Sequence, residues 1–354
     1  MSSKLRFALV IFIASLLLPT AAFAADKKSF RIAWSIYVGW MPWEYATENG
    51  IVKKWADKYG INIEVVRIND YIESINQYTA GEFDGVTVTN MDALTIPAAS
   101  GVDTTALIVG DFSNGNDAVI LKSGKTLKDI KGIPVNLVEL SVSHYLLARG
   151  LESVGLKEKD IKVINTSDAD MVAIYPTKDV KAVVTWNPLV SEILAMPNAN
   201  NVFDSSKIPG EIIDTTMVNS ATLKKHPELG KALAGAWYET MAVLAKGDKK
   251  SKEAKAFLGE ASGTDLAGYE SQLAATQMFY QAGEAVKFVT SSELKTTTKS
   301  VAEFSFQHGL LGDSAASPEY IGVEFPDGSV YGNKKNVKLR FTETYMKMAA
   351  DGKI

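Results

Sequence analysis

Residues 33–46 read AWSIYVGWMPWEYA, and two readings of that stretch lead to different folds. Trp34, Tyr37, Trp40 and Trp43 recur every three residues, close to the spacing of one helix face. Gly39 and Pro42 oppose a continuous helix there. The other reading is strand end, loop and helix start, with Gly39 admitting tight backbone and Pro42 at the first helical position. That reading makes FRIAWSI (30–36) a strand and opens a β-loop-α unit. It sends Tyr37 and Trp40 to the loop and Trp43 and Tyr45 to the helix. Trp34 stays open between core and loop.

Working outward, short apolar runs alternate with amphipathic stretches. Strands are expected at 30–36, 61–68, 85–89, 105–110, 118–122, 134–138, 161–165 and 180–186, and helices at 43–58, 71–80, 91–100, 143–154 and 168–175. This alternation predicts an α/β chain with largely parallel sheets. After residue 218 helical patterns dominate, at 220–247, 251–258, 264–282, 291–309 and 341–350. Two polar, turn-rich stretches, GDFSNGNDA (110–118) and FDSSKIPGEIID (203–214), mark chain crossings between two lobes. Lobe 1 is therefore expected over 26–112 plus 214–354, with lobe 2 inserted as 113–213.

The chain opens with an expected export signal. Lys4 and Arg6 precede the apolar run Phe7–Leu18, and Ala22-Phe23-Ala24 suits cleavage after Ala24. The run is too short to span a bilayer, which needs about 20 residues. Losing Lys4 and Arg6 takes the 37 basic residues to 35 against 41 acidic ones, a balance that argues against nucleic-acid partners. The absence of cysteine excludes a thiol nucleophile, a thiolate metal site and a lipid-anchoring cysteine. A monomer in a bacterial periplasm is the expectation.

Several longer runs carry a family resemblance: YVGWMPWEYA, INDYIESINQYTAGEFDG, TNMDALTIPAASGVDTTALIVGDFSNGND, VNLVELSVSHYLLARGL, NTSDADMVAIY, TWNP and FDSSKIPGEIID. The chain resembles periplasmic substrate-binding proteins of ABC importers, in the branch with nitrate, sulfonate, taurine and thiamine-precursor binders. Within it, these runs look like a subgroup described as urea binding proteins and associated with urea carboxylase genes, whose carboxylases are regarded as acting on guanidine. The resemblance implies a type II binding-protein fold, two α/β lobes with a ligand cleft between them. It also implies an inner-membrane ABC permease as partner, and no cofactor.

In open α/β sheets ligands sit beyond the carboxyl ends of strands. Reading those positions gives the candidate ligand-binding residues. The first strand supplies Trp34, Tyr37 and Trp40. The second supplies Asp70, also a natural helix N-cap with Glu73 in capping-box spacing. The third supplies Asp92, in the first turn of a helix that Thr89 or Asn90 can cap. In the inserted lobe Glu139 follows an apolar strand, where a carboxylate is costly unless paired. Trp186 and Asn187 stand at another strand end. Glu211 and Asp214 lie at the second crossing, where hinge and ligand roles are not separable.

This set is aromatic and acidic, with no Arg or Lys at its strand ends. Guanidinium, planar and rich in N–H donors, suits carboxylates and a ring face. Urea is planar but neutral and needs a donor for its oxygen. An anion such as taurine or nitrate would need basic groups or bare helix N-termini. The expected ligand is therefore guanidinium or urea-like. An anion binder, or a secreted enzyme acting on such a compound, is the alternative. No catalytic constellation supports an enzyme: His144, His226 and His308 are scattered, and SDAD (167–170) lacks the later ligands of a calcium loop.

Overall fold

A computed structural model describes residues 28–354 of the chain. The expected export signal lies outside the described residues. Fourteen strands run in chain order as β1 (Ser29–Trp34), β2 (Asn62–Arg67), β3 (Gly85–Thr89), β4 (Thr104–Ser113), β5 (Asp117–Leu121), β6 (Pro134–Leu137) and β7 (Lys162–Asn165). They continue as β8 (Ala182–Trp186), β9 (Asn200–Asp204), β10 (Ile213–Asn219), β11 (Thr276–Met278), β12 (Gly322–Glu324), β13 (Val330–Tyr331) and β14 (Val337–Phe341).

They form two sheets. One has the order β13-β12-β14-β4-β10-β3-β1-β2, with β11 added against β4; the other has the order β7-β6-β8-β5-β9. The first sheet thus draws on the two ends of the described chain and the second on its middle. Strand β4 runs on to Ser113 and β5 begins at Asp117, while the return passes from Asp204 to Ile213. The two crossings are tied together: Ser113 and Ser205 hydroxyls lie 2.7 Å apart, and the Gly115 N–H donates to Ser205 Oγ at 2.7 Å. Gly115 has φ +122°, a conformation that glycine alone adopts without strain.

Both sheets are mixed rather than largely parallel. Strand β10 pairs antiparallel with β3 and β4, and β5 antiparallel with β8 and β9, while β1–β2, β1–β3, β6–β7 and β6–β8 are parallel. The departure arises at the crossings. A chain that returns to its first sheet through a turn-rich segment, without a crossover helix, enters in the opposite sense.

The opening stretch is strand, loop and helix. Strand β1 ends at Trp34, and Pro42 occupies the first turn of the helix Pro42–Glu48. Gly50, at φ +69°, then separates that helix from Ile51–Lys58, dividing the single helix expected over 43–58. Pro227 likewise divides the helix expected over 220–247 into Ser220–Lys225 and Pro227–Ala245. Trp43 is fully buried against Trp237, ring centroids 5.1 Å apart, and its indole N–H donates to Thr216 Oγ1 at 3.3 Å. This contact fixes the first helix on the sheet and so aims the loop before it.

Candidate ligand-binding site

Between the two sheets lies a small cavity, about 260 Å³ of space between the atoms and partly open to solvent. Tyr37 and Trp40 reach it from the loop after β1, Tyr71 from the helix after β2, and Thr89 from the end of β3. The middle of the chain contributes Asp117, Val142 and Trp186; Ile212 and Asp214 come from the return crossing and the start of β10. None of these nine lining residues is basic.

Four rings make its wall. Tyr37 meets Trp40 edge-on with centroids 5.2 Å apart, Trp40 meets Tyr71 at 5.5 Å, and Tyr71 meets Trp186 edge-on at 5.5 Å. The Trp186 indole N–H donates to the Ile36 carbonyl at 3.3 Å, so this ring joins the lobes as well as lining the cavity. Gly39 lets the loop close. A Cβ on it would lie 2.6 Å from the Tyr37 ring and 2.8 Å from the Asp111 carboxyl carbon.

Carboxylates make the floor. Asp214 on β10 is directly opposite Asp111 on β4 in the antiparallel register, and both are buried. Tyr37 donates its hydroxyl to Asp111 Oδ1 at 3.2 Å, while Oδ2 of Asp111 and Oδ2 of Asp214 have no hydrogen-bond donor among the described residues. Burial raises the pKa of both acids, and the nearby Asp111 charge raises that of Asp214 further. Asp117 opens β5, accepts from the Ser113 hydroxyl, and is pushed by burial up to about 7. Behind the rings, the fully buried Asp92 accepts from Tyr71 (2.7 Å), the Thr89 hydroxyl (2.9 Å) and the Val142 N–H (3.4 Å). Its burial raises its pKa to about 6, against the lowering effect of these bonds.

The expected site residues divide accordingly. Tyr37, Trp40, Trp186 and Asp214 come together at the cavity. Asp92 supports it from behind. Trp34, 1% exposed, belongs to the core and does not line the cavity. Asn187 is turned away, donating to Asn116 Oδ1 at 2.7 Å and accepting from the Ser191 N–H and hydroxyl. Asp70 caps its helix by accepting from the Glu73 N–H at 2.9 Å. It also accepts from the Ser167 hydroxyl of the other lobe at 2.8 Å, outside the cavity.

Two acidic expectations are corrected. Glu139 is exposed, because β6 stops at Leu137 and Leu140 takes a left-handed turn at φ +63°. The segment instead presents Val142 to the cavity. Glu139→Gln is accordingly expected to change ligand affinity less than twofold, checked by calorimetry on both proteins. Glu211 is consumed by Arg149, at 2.9 and 3.1 Å, and by the Tyr145 hydroxyl at 2.6 Å. Asp111, Asp117 and Tyr71 were not among the expected residues. Asp111 and Asp117 lie in the first crossing stretch, whose composition resembles a solvent turn.

A second cluster joins the lobes. The possible ligand atoms of His144, Glu158 and His308 lie within 4.8 Å of one another, a spacing that could hold a metal ion. The hydrogen bonds favour another reading. His144 Nδ1 accepts from the Leu140 N–H at 3.1 Å, which leaves the hydrogen on Nε2, facing Glu158. His308 donates from Nδ1 to the Phe304 carbonyl (2.8 Å) and from Nε2 to Glu158 (2.7 Å). Glu158 is held at about 2 by these two imidazoles, and His308 is raised by Glu158. The cluster is a carboxylate hydrogen-bonded by His308, with His144 Nε2 3.4 Å from it.

Two lobes closed on a cavity at their strand ends define the fold of the periplasmic binding proteins. The alkanesulfonate-binding protein of Xanthomonas axonopodis pv. citri, solved bound to MOPS, superposes with a TM-score of 0.66. That superposition covers 82% of this chain and 96% of that one at 18% identity. The chain belongs to the NMT1-like family, which it matches over residues 33–258. It is 27% identical to a binding protein of Brucella abortus (strain 2308) over 192 residues, 54% of this chain and 57% of that protein. It is also 24% identical to the taurine-binding periplasmic protein of Escherichia coli (strain K12) over 132 residues, 36% of this chain and 40% of that one. The match thus spans about half the length of these relatives or less. All three carry the names of binding proteins. Among the described residues no helix is long and apolar enough to cross a membrane.

Proposed function

We propose that the protein is the periplasmic solute-binding component of an ABC importer, handing its cargo to an inner-membrane permease. The cargo in this reading is a small planar nitrogen compound, guanidinium first. One observation carries the proposal: Asp117 and Asp214 line the cavity, Asp111 stands beside Asp214, and none of the lining residues is basic. Buried carboxylates without a positive partner are costly, so a bound cation is what would make the arrangement favourable.

The rings favour the same cargo. A cation over an aromatic face gains about 0.5–2 kcal/mol, most where water is excluded. The cavity's size favours a ligand of a few heavy atoms. An anion finds little here: the N-terminus of the helix Val142–Ser153 is already taken by Asp92. The taurine and alkanesulfonate named for the relatives are therefore a poorer fit. Urea is the second reading, because the buried indole N–H of Trp40 has no acceptor among the described residues and could serve a carbonyl oxygen.

Capture in this reading is a hinge motion about the two crossings. The ligand favours closure through contacts that exist only when Trp186 and Asp117 of one lobe meet Tyr37, Trp40 and Asp214 of the other. Titration calorimetry of ligand-stripped protein with guanidinium, urea, methylguanidinium, taurine and nitrate tests it. Heat with guanidinium or urea supports the proposal; heat with taurine or nitrate alone overturns it.

A further inference from the structure

We infer that capture of the cargo is coupled to proton release: a planar cation displaces one proton shared between Asp111 and Asp214. The inference rests on the cationic reading of the site and adds to it a proton exchange. Its basis is the β4–β10 register, which sets the two carboxyl groups directly opposite each other on the hinge strands. Each has an Oδ2 without a hydrogen-bond donor, and both side chains are buried.

Among the described residues, the groups around the pair offer no positive charge. Tyr37 faces it from the loop after β1, and Asp117 from the start of β5. Tyr269, from the helix Leu266–Ala274, and Tyr280, after β11, lie close enough to feel the Asp111 charge. Asp92 lies further back, near enough to Asp117 to raise its pKa. All are acids or phenols. Two adjacent buried carboxyls in such surroundings do not both ionise; they hold one proton between them and titrate as a pair. The upward shift of both acids agrees with this.

The exchange balances. Before binding, the pair carries one proton and one negative charge. As the cation enters, the O–H bond of the protonated carboxyl breaks and its proton leaves to solvent. Asp214 then accepts N–H bonds from the cation, with the Asp111 carboxylate opposite it. Pair plus ligand again carries one net negative charge, so closure buries no additional charge. The pair is thus built to exchange one monovalent cation for one proton.

The test is calorimetry of the whole mature protein with guanidinium chloride near neutral pH, in buffers of differing ionisation enthalpy, repeated at higher pH. The expected result is an apparent enthalpy that varies with the buffer, with a slope near one proton released per ligand. Affinity should tighten about tenfold per pH unit until the pair ionises unaided. Binding with buffer-independent heat would overturn the coupling while leaving the cationic site standing. No binding at any pH would overturn both. Asp111→Asn, checked for folding by circular dichroism, should lose the buffer dependence. Undiminished proton release in that variant would remove the pair as its source. The unmodified protein decides the matter even where the variant does not fold.

Discussion

Asp214→Asn is expected to lose most affinity for guanidinium and at the same time to stabilise the ligand-free protein. Removing one partner of a buried, hydrogen-bonded charge pair costs about 2–5 kcal/mol, or roughly 30-fold to several thousand-fold in Kd. Calorimetry should find that loss. The gain in stability has a separate origin. Asp214 is buried opposite Asp111, and its pKa in the folded protein is well above the ordinary carboxyl value. The folded chain therefore holds a proton that the unfolded chain releases near pH 4, and stability falls as pH rises from there through the folded value. Asparagine removes that dependence. The gain should be small at pH 4, grow towards neutral and alkaline pH, and reach about 0.5–2 kcal/mol by urea unfolding. A variant that lost binding and was also destabilised at pH 8 would show Asp214 to be a structural residue.

Gly39→Ala is the second large effect expected. Gly39 does not take a positive φ, so backbone strain is not its reason; close approach is. The added methyl would press on the Tyr37 ring and the Asp111 carboxyl carbon. Overpacking of this kind costs about 1–3 kcal/mol. Because the loop carries both Tyr37 and Trp40, the displacement should appear mainly in binding, as a loss of about 5- to 150-fold in Kd. Near-native affinity in Gly39→Ala would mean that the loop has freedom the packing denies it.

Several residues of the candidate site stand at strand ends that the sequence marks. Tyr37 and Trp40 follow β1, and Trp186 ends β8. Asp214 sits at the second crossing, where the sequence did not separate hinge from ligand roles. What the sequence hid has physical causes. Asp111 and Asp117 flank SNGN, whose composition marks a turn; at the base of a two-lobed cleft both flanks of that turn are buried, with Asn114 and Gly115 half-buried between them. The engagement of Glu211 depends on Arg149, 62 residues earlier, a partnership that only tertiary structure reveals. Glu139 was misplaced because nothing in the sequence signals that Leu140 would take a left-handed turn. Strand β10 was masked by its polar approach, although its own residues are buried up to Val218.

The most direct test is a crystal structure of the protein grown with guanidinium. The planar ion is expected between the lobes, its N–H groups on the carboxylates of Asp117 and Asp214 and its face against Trp40 or Trp186. Density for the ion elsewhere, with this cavity filled by an anion or by ordered water alone, would contradict it.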